Sequence, residues 1–299
     1  MRVFITGGTG FIGAAVVKEL IENGHEVVGL ARSEESKRVL TDAGASAFDG
    51  SLEDADSLKR GAETAAAVVH LAFVHNFDDF VASVETDRRA IEAIGETLVG
   101  TGKPFIVTSG VPSSADGRVV TENDESDPRF PRLSEQAALP FAERGVRVSI
   151  VRPSRFVHGD GDVHGFVPQL IGIAREKGVS IYIGNGANRL HAVHRLDLAR
   201  LFRLALENGK TGARYQAVGD SAVQYRDIAE VIGKRLHVPT DSISAEQATG
   251  HFDFLGGIVS ADNPASSGVT KAALGWQPTH PPLLEDLATG YDEVFNATM

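Results

Sequence analysis

The chain has 299 residues, of which 42% are hydrophobic, with a formal net charge of −11 and no cysteine. That length and apolar content support one large domain, or a main domain with a smaller lobe. The acidic balance excludes a global field for nucleic acid, so an anionic ligand needs a local positive site, and the lack of cysteine excludes disulfides, thiolate nucleophiles and thiolate metal centres, as expected in a reducing cytoplasm.

The first residues read directly as a strand, without the charged and apolar regions of a signal peptide. No apolar run reaches the ~18 residues of a membrane span. Val3-Phe4-Ile5 forms the first strand. From Gly13 to Asn23 the apolar positions Ala14, Val17, Leu20 and Ile21 recur at three and four, a helix ended by Asn23-Gly24. A second strand follows over Glu26–Leu30, a helix over Ser36–Ala43, a third strand over Ala45–Asp49 and a short helix over Ser57–Gly61. A fourth strand spans Ala67–Leu71, a long helix Phe77–Gly100 and a fifth strand Pro104–Thr108. The stretch Ser109–Pro131 is rich in Pro, Ser, Asp and Gly and reads as a loop. A helix over Leu133–Arg144 and a sixth strand over Val146–Val151 close the series. Short, wholly apolar strands alternating with helices specify an α/β fold, a doubly wound parallel sheet of Rossmann type. Past Arg155 the alternation fades, and two amphipathic helices stand out, Asp197–Asn208 and Tyr225–Leu236. Residues 1–154 are therefore expected to form a dinucleotide-binding domain, with the Asp197–Asn208 helix packing back on it. Residues 155–299 are expected to form mainly a smaller substrate lobe.

The turn between the first strand and helix reads TGGTGFIG, with Gly7, Gly10 and Gly13 at spacing three. Glycine permits the tight turn and lets backbone approach a diphosphate, and the following helix aims free N–H groups at that anion. The end of the second strand selects the cofactor. An NAD site usually has an acid there to accept bonds from the ribose hydroxyls. Here Ala31 and Arg32 occupy that place and Ser33 follows. Arginine pairs with a 2′-phosphate, so NADP(H) is expected over NAD(H). Glu34 and Glu35, one turn later, argue the other way.

TGGTGFIG resembles the extended short-chain dehydrogenase/reductases, the group of NAD-dependent epimerases and dehydratases. DGSLED at Asp49–Asp54 resembles the segment that touches adenine there, VVHLAF at Val68–Phe73 the strand that ends beside the cofactor ribose, and FIVTSG at Phe105–Gly110 the serine strand. TEND at Thr121–Asp124 resembles a substrate-side loop, VRPSRFVHGDGD at Val151–Asp162 the nicotinamide-side segment, and IGNGANRLHAVHRLDLA at Ile183–Ala199 a further family stretch. ALGWQP at Ala273–Pro278 resembles a closing segment, with Trp276 as an anchor. The resemblance implies cofactor contacts at Gly7, Thr9, Gly10, Phe11, Ile12, Gly13, Arg32, Ser33, Ser51, Leu52, Leu71, Ala72, Phe73, Thr108, Ser109, Pro153, Ser154 and Arg155.

The family's proton relay, a Tyr-x-x-x-Lys pair with a Ser or Thr, is missing. The four tyrosines are Tyr182, Tyr215, Tyr225 and Tyr291. The tyrosine slot falls near Asp127, the lysine slot near Pro131, and Gly110 replaces a serine. The chain therefore resembles an atypical member that keeps the cofactor motif. Candidate replacements in catalysis are His158, Ser109, Arg155 and His194, as acid, orienting hydroxyl, or anion receptor. His164, His191 and His75 stand near the same segments. Arg132 and Glu135 open the helix that carries the relay in the family; a ribose contact by one of them is an option not adopted. No metal site is read, since HGDGDVH and HAVH match no supporting acidic or cysteine ligand pattern.

Three functions follow as alternatives. The first is an NADP(H)-dependent reductase of a small carbonyl, imine or activated alkene, in which oxyanion donors make the tyrosine dispensable. The second is a cofactor-binding sensor without turnover, and the third a nucleotide-sugar epimerase or dehydratase. The expected partner is a small-molecule substrate, with no nucleic acid and no membrane, in a monomer or homodimer.

Overall fold

Crowding of β-branched and aromatic residues into short runs produces six strands that the computed structural model, which describes residues 1–74, 79–114, 116–126 and 132–297, pairs side by side. They are β1 (Arg2–Thr6), β2 (Glu26–Ala31), β3 (Ser46–Asp49), β4 (Ala67–His70), β5 (Pro104–Thr108) and β6 (Arg147–Pro153). Further strands are β7 (Phe156–His158), β8 (Ser180–Ile183), β9 (Arg189–His194), β10 (Ala213–Ala217), β11 (Asp220–Gln224) and β12 (Thr240–Ile243). The seven-stranded main sheet has the order β10-β6-β5-β4-β1-β2-β3, and every neighbouring pair is parallel. The order reverses between β1 and β4. In such sheets the crevice beyond the carboxyl ends at that reversal is where ligands bind.

Helices α1 (Phe11–Glu22), α2 (Glu34–Asp42), α3 (Ala55–Thr64), α4 (Phe80–Leu98), α5 (Ser134–Ala138), α6 (Phe166–Lys177), α7 (Arg195–Asn208) and α8 (Tyr225–Leu236) cover the sheets. One core, centred on Val16, Leu20 and Phe202, fills the face under α1 and α7. A second, centred on Phe4, Leu58, Ile91 and Phe141, fills the face under α3 and α4. A third, around Phe156, Leu170, Tyr225 and Phe252, belongs to the lobe built on β7–β9 and β11–β12. No helix among the described residues is long and apolar enough to cross a membrane.

Several elements differ from their sequence expectations for local reasons. The helix expected over Leu133–Arg144 is α5 followed by a 3-10 turn over Leu139–Arg144. Pro140 lacks an N–H and crowds the carbonyl four residues back, so the α-helical ladder stops. The helix expected over Ser57–Gly61 is longer, because Asp54 caps α3 by accepting from Asp56 N and Ser57 N at 3.1 and 3.2 Å. The long helix begins within the described residues at Phe80, with the Asp79 carboxylate accepting from Ala82 N at 3.1 Å; residues 77 and 78 lie outside them. The Asp197–Asn208 segment does pack against α1: Arg203 Nε donates to Glu19 at 2.7 Å across an apolar seam. Residues 213–217, on the lobe side of a division at 154/155, join the main sheet as β10 beside β6.

Glu135 pins α5 to this frame. Arg152, fully buried, grips it through Nε and Nη2 at 2.7 and 2.8 Å, and Arg214 Nε adds a bond at 3.0 Å. Burial alone raises the Glu135 carboxyl, but Arg152 chiefly, with Arg214 and the Ser109 hydroxyl, outweighs it and leaves it below the ordinary range. Removing one partner of such a pair strands the others. Glu135→Gln is therefore expected to lower stability by about 3–5 kcal/mol in urea denaturation at pH 7. The depressed native value makes this contribution complete above the unfolded carboxyl value and lost as pH falls through the folded one. The gap between wild type and E135Q should accordingly narrow below about pH 4.

Candidate functional site

The glycine turn after β1 is shaped for close approach. Gly7 sits at φ +73°, and a Cβ there would lie 2.7 Å from Ala72 N at the end of β4. A Cβ on Gly13 would lie 1.9 Å from the Gly7 carbonyl oxygen. Gly10 is the N-cap of α1 and brings no side-chain cap, and the first turn holds no acidic residue. The first N–H groups of a twelve-residue helix are thus left to an anion. Thr9 is exposed, while Phe11 and Ile12 are half-buried beside the turn. This cradle fits the diphosphate of a dinucleotide.

At the adenosine end, beyond β2, Arg32 is exposed and Ala31 is buried. Ser33 is spent as the N-cap of α2, its Oγ accepting from Ser36 N at 3.2 Å. Lys37 binds both Glu34, at 2.7 Å, and Asp49, at 2.5 Å, and these bonds raise it to about 12. Glu34 and Asp49 are thereby both paired with Lys37. The Ser51 carbonyl accepts from Asp54 N at 3.3 Å, and Leu52 packs on the second core.

Beyond β4 and β5 a chain of buried polar groups underlies the crevice. Thr6 Oγ1 lies 2.9 Å from His70 Nδ1 and accepts from Ala72 N at 3.3 Å; His70 Nε2 lies 3.1 Å from Asp87 Oδ1. The ring tautomer with its hydrogen on Nε2 satisfies all three partners. Ser134 Oγ donates to Asp87 Oδ2 at 2.6 Å and accepts from Arg132 Nε at 3.0 Å. Arg132 Nη2 donates to the Thr108 carbonyl at 3.2 Å, and its guanidinium lies 4.4 Å from the Phe73 ring centroid. Burial raises the Asp87 carboxyl, but His70 first, then Arg132 and Ser134, hold it below its ordinary value. Arg132 is lowered by burial, opposed by Asp87. No described carboxylate bonds Arg132 directly, so a guanidinium stands at the carboxyl end of β5.

The other expected residues divide. Thr108 donates its hydroxyl to the His70 carbonyl at 2.8 Å, and Leu71 packs on the first core. Ser109 is buried, its backbone N–H donating to the Val151 carbonyl at 3.0 Å. Ser154 Oγ donates to the Ala217 carbonyl at 2.6 Å, and the Pro153 carbonyl accepts from Val111 N at 3.3 Å. Arg155 is half-buried at the crevice, with Nη2 donating to Ser113 Oγ at 2.8 Å. His158 is fully buried, with Nδ1 2.7 Å from Asp286 and Nε2 4.0 Å from Asp220. Those contacts tie His158 to residue 286 across the lobe. His194 caps α7 by accepting from Leu196 N at 3.3 Å, and burial first, then the neighbouring His158 and His280, lower it to about 4. His75, Asp127 and Pro131 lie outside the described residues.

His194, Asp197 and His280 bring three metal-ligating groups together. The Asp197 carboxylate already accepts from Thr279 N, Thr279 Oγ1, His280 N and His280 Nδ1 at 2.9–3.3 Å. Those bonds tie residues 279–280 to the start of α7. Sequence reasoning missed Asp87, His70 and Ser134, and also Arg195. Its guanidinium lies 5.1 Å from the Phe11 ring at the opening of α1, with Nε buried and unpartnered.

A family model described as the NAD dependent epimerase/dehydratase family matches residues 3–104. An uncharacterized protein of Schizosaccharomyces pombe is 50% identical over 97% of this chain and 99% of its own. Vestitone reductase of Medicago sativa is 33% identical over 72% of this chain and 75% of its own. Among solved structures, a dTDP-glucose 4,6-dehydratase of Streptomyces venezuelae with NAD bound aligns at a TM-score of 0.76 and 23% identity, covering 96% of this chain and 95% of that one, a likeness of fold.

Asp87→Ala tests the buried chain. It leaves the His70 N–H and the Ser134 hydroxyl without an acceptor and should cost about 2–4 kcal/mol in chemical denaturation. A loss within measurement error would show that the network contributes nothing.

Proposed function

The chain belongs to the NAD-dependent epimerase/dehydratase family, and from that premise we propose that it is an NADP(H)-dependent reductase of a small carbonyl, imine or activated alkene. The observation that carries this reading is Arg132 at the end of β5, bonded to Thr108 and held through Ser134 to Asp87. A guanidinium stays protonated at working pH, so it is neither donor nor acceptor of the transferred proton. It can stabilise negative charge that develops on a substrate oxygen or nitrogen as hydride arrives, and the proton that completes the reduction then comes from water. The relative named vestitone reductase agrees with a reductase.

The NADP(H) preference rests on the exposed Arg32 and on the capture of Glu34 and Asp49 by Lys37. In this reading the Gly7–Gly13 turn holds the diphosphate, Arg32 the 2′-phosphate, and Phe73, Thr108 and Arg132 border the nicotinamide end. Arg195 adds positive charge beside Phe11. A bound nicotinamide supplies the hydride. The chain's own residues bind, orient and hold charge.

Two measurements test this. Arg32→Ala should weaken NADPH binding in calorimetry by about tenfold or more, the scale of a charge-assisted hydrogen bond, and leave NADH nearly unchanged; an equal response of both refutes the cofactor choice. NADPH oxidation should appear with at least one of a ketone, imine or enone panel, and Arg132→Gln should lower kcat by about 100-fold with NADPH affinity kept. Tight NADPH binding without turnover of any class assigns the protein to cofactor sensing. Turnover of a nucleotide sugar with NAD assigns it to epimerisation or dehydration.

A further inference from the structure

We propose that the same crevice selects substrates bearing a carboxylate, with Arg155 as the receptor for that group. This rests on the reductase reading for the reaction and on the structure around Arg155 for the selectivity. Arg155 lies two residues beyond the end of β6, next to the β5 end that carries Arg132. Two bonds fix it. Its backbone N–H donates to His191 Nδ1 at 3.1 Å, and Nη2 donates to Ser113 Oγ at 2.8 Å. The other guanidinium N–H groups have no partner among the described residues, and no described carboxylate forms an ion pair with it.

An interlobe salt bridge is the ordinary reason for an arginine in such a place. Here burial is what acts on Arg155, with no carboxylate beside it among the described residues. Asp262 binds Arg189 at 2.7 and 2.9 Å, Glu135 binds Arg152 and Arg214, and Asp124 binds Arg118 at 2.6 Å. His191 does not alter this balance, because burial first and Arg155 second push it down to about 3, leaving it uncharged at neutral pH. Arg155 therefore presents a partly desolvated cation, fixed at one nitrogen and open at the rest. Its planar fork matches the two oxygens of a carboxylate. In a chain of net charge −11, a local cation of this kind is what lets an anion enter.

The probe is benzoate, with benzamide as its uncharged partner, titrated by calorimetry into protein saturated with NADP+. Benzoate should bind and benzamide should not. Arg155→Gln should weaken benzoate by about tenfold or more, Arg155→Lys should retain part of the affinity, and neither should change NADP+ binding by more than about twofold. In turnover, 4-carboxybenzaldehyde should exceed its methyl ester in kcat/KM by about tenfold, and the preference should vanish in R155Q. The proposal is overturned if wild type ignores benzoate, if R155Q and R155K bind it as wild type does, or if R155Q weakens NADP+ instead, which would give Arg155 to a cofactor phosphate. Arg155-dependent benzoate binding with no oxidation of NADPH by either aldehyde keeps the receptor, and failure of the ketone, imine and enone panel as well rejects the reductase reading. Thermal melts of both variants confirm that each is folded.

Discussion

The crevice is organised by one buried carboxylate. Asp87, on α4, accepts from the His70 side chain of β4 and from Ser134 at the start of α5. Through His70 it reaches Thr6 at the end of β1, and through Ser134 it reaches Arg132. Four elements that arrive from different parts of the chain are thus held to a common centre. In a low-dielectric interior an unmet partner in such a chain is costly, so the arrangement exists as a whole or not at all. The position of Arg132 is a consequence of it. The glycine turn depends on it too, since the Thr6 hydroxyl also receives Ala72 N, the atom against which Gly7 is closely packed.

Much of the fold was legible because its signals are local. Apolar runs such as Val68-Val69 and Phe105-Ile106-Val107 mark strands buried on both faces, and Gly7, Gly10 and Gly13 mark a turn that only glycine fits. The site was less legible. Ser154 stands where a cofactor contact is expected, but its hydroxyl turns to the Ala217 carbonyl. A sequence shows a hydroxyl without showing which way it faces. The histidines illustrate the same limit. His158 and His194 stood out because titratable groups cluster there, while His70 looked like one more residue of an apolar strand. Long-range pairing decides the matter: Asp286 takes His158 across 128 positions, and Asp87 takes His70 from the facing helix. Arg132 was noticed and set aside, because its bonds to Ser134 and Thr108 exist only after β5 and α5 have come together.

Charge is distributed unevenly in this acidic chain. Two buried carboxylates near the crevice are matched: Glu135 by Arg152 and Arg214, and Asp87 by the His70 and Ser134 donors. Arg32, Arg132, Arg155 and Arg195, by contrast, have no carboxylate bonded to them among the described residues. They occur at successive points along the carboxyl edge of the sheet: the end of β2, the end of β5, the end of β6 and the start of α7.

The return of the chain to the main sheet limits how the polypeptide can be assembled. Because β10 completes the edge beside β6, and α7 covers α1, the sheet remains open until residues 195–217 have been synthesised and docked. A piece cut at residue 154 would carry an unprotected β6 flank and an apolar helix face open to water, the two features that lead nascent chains to stick to one another. Residues 1–154 are therefore no autonomous module, and the lobe is tethered to the main sheet by repeated crossings of the polypeptide, out after β6, back at α7 and out again after β10, a connection that favours rigid coupling over free hinging.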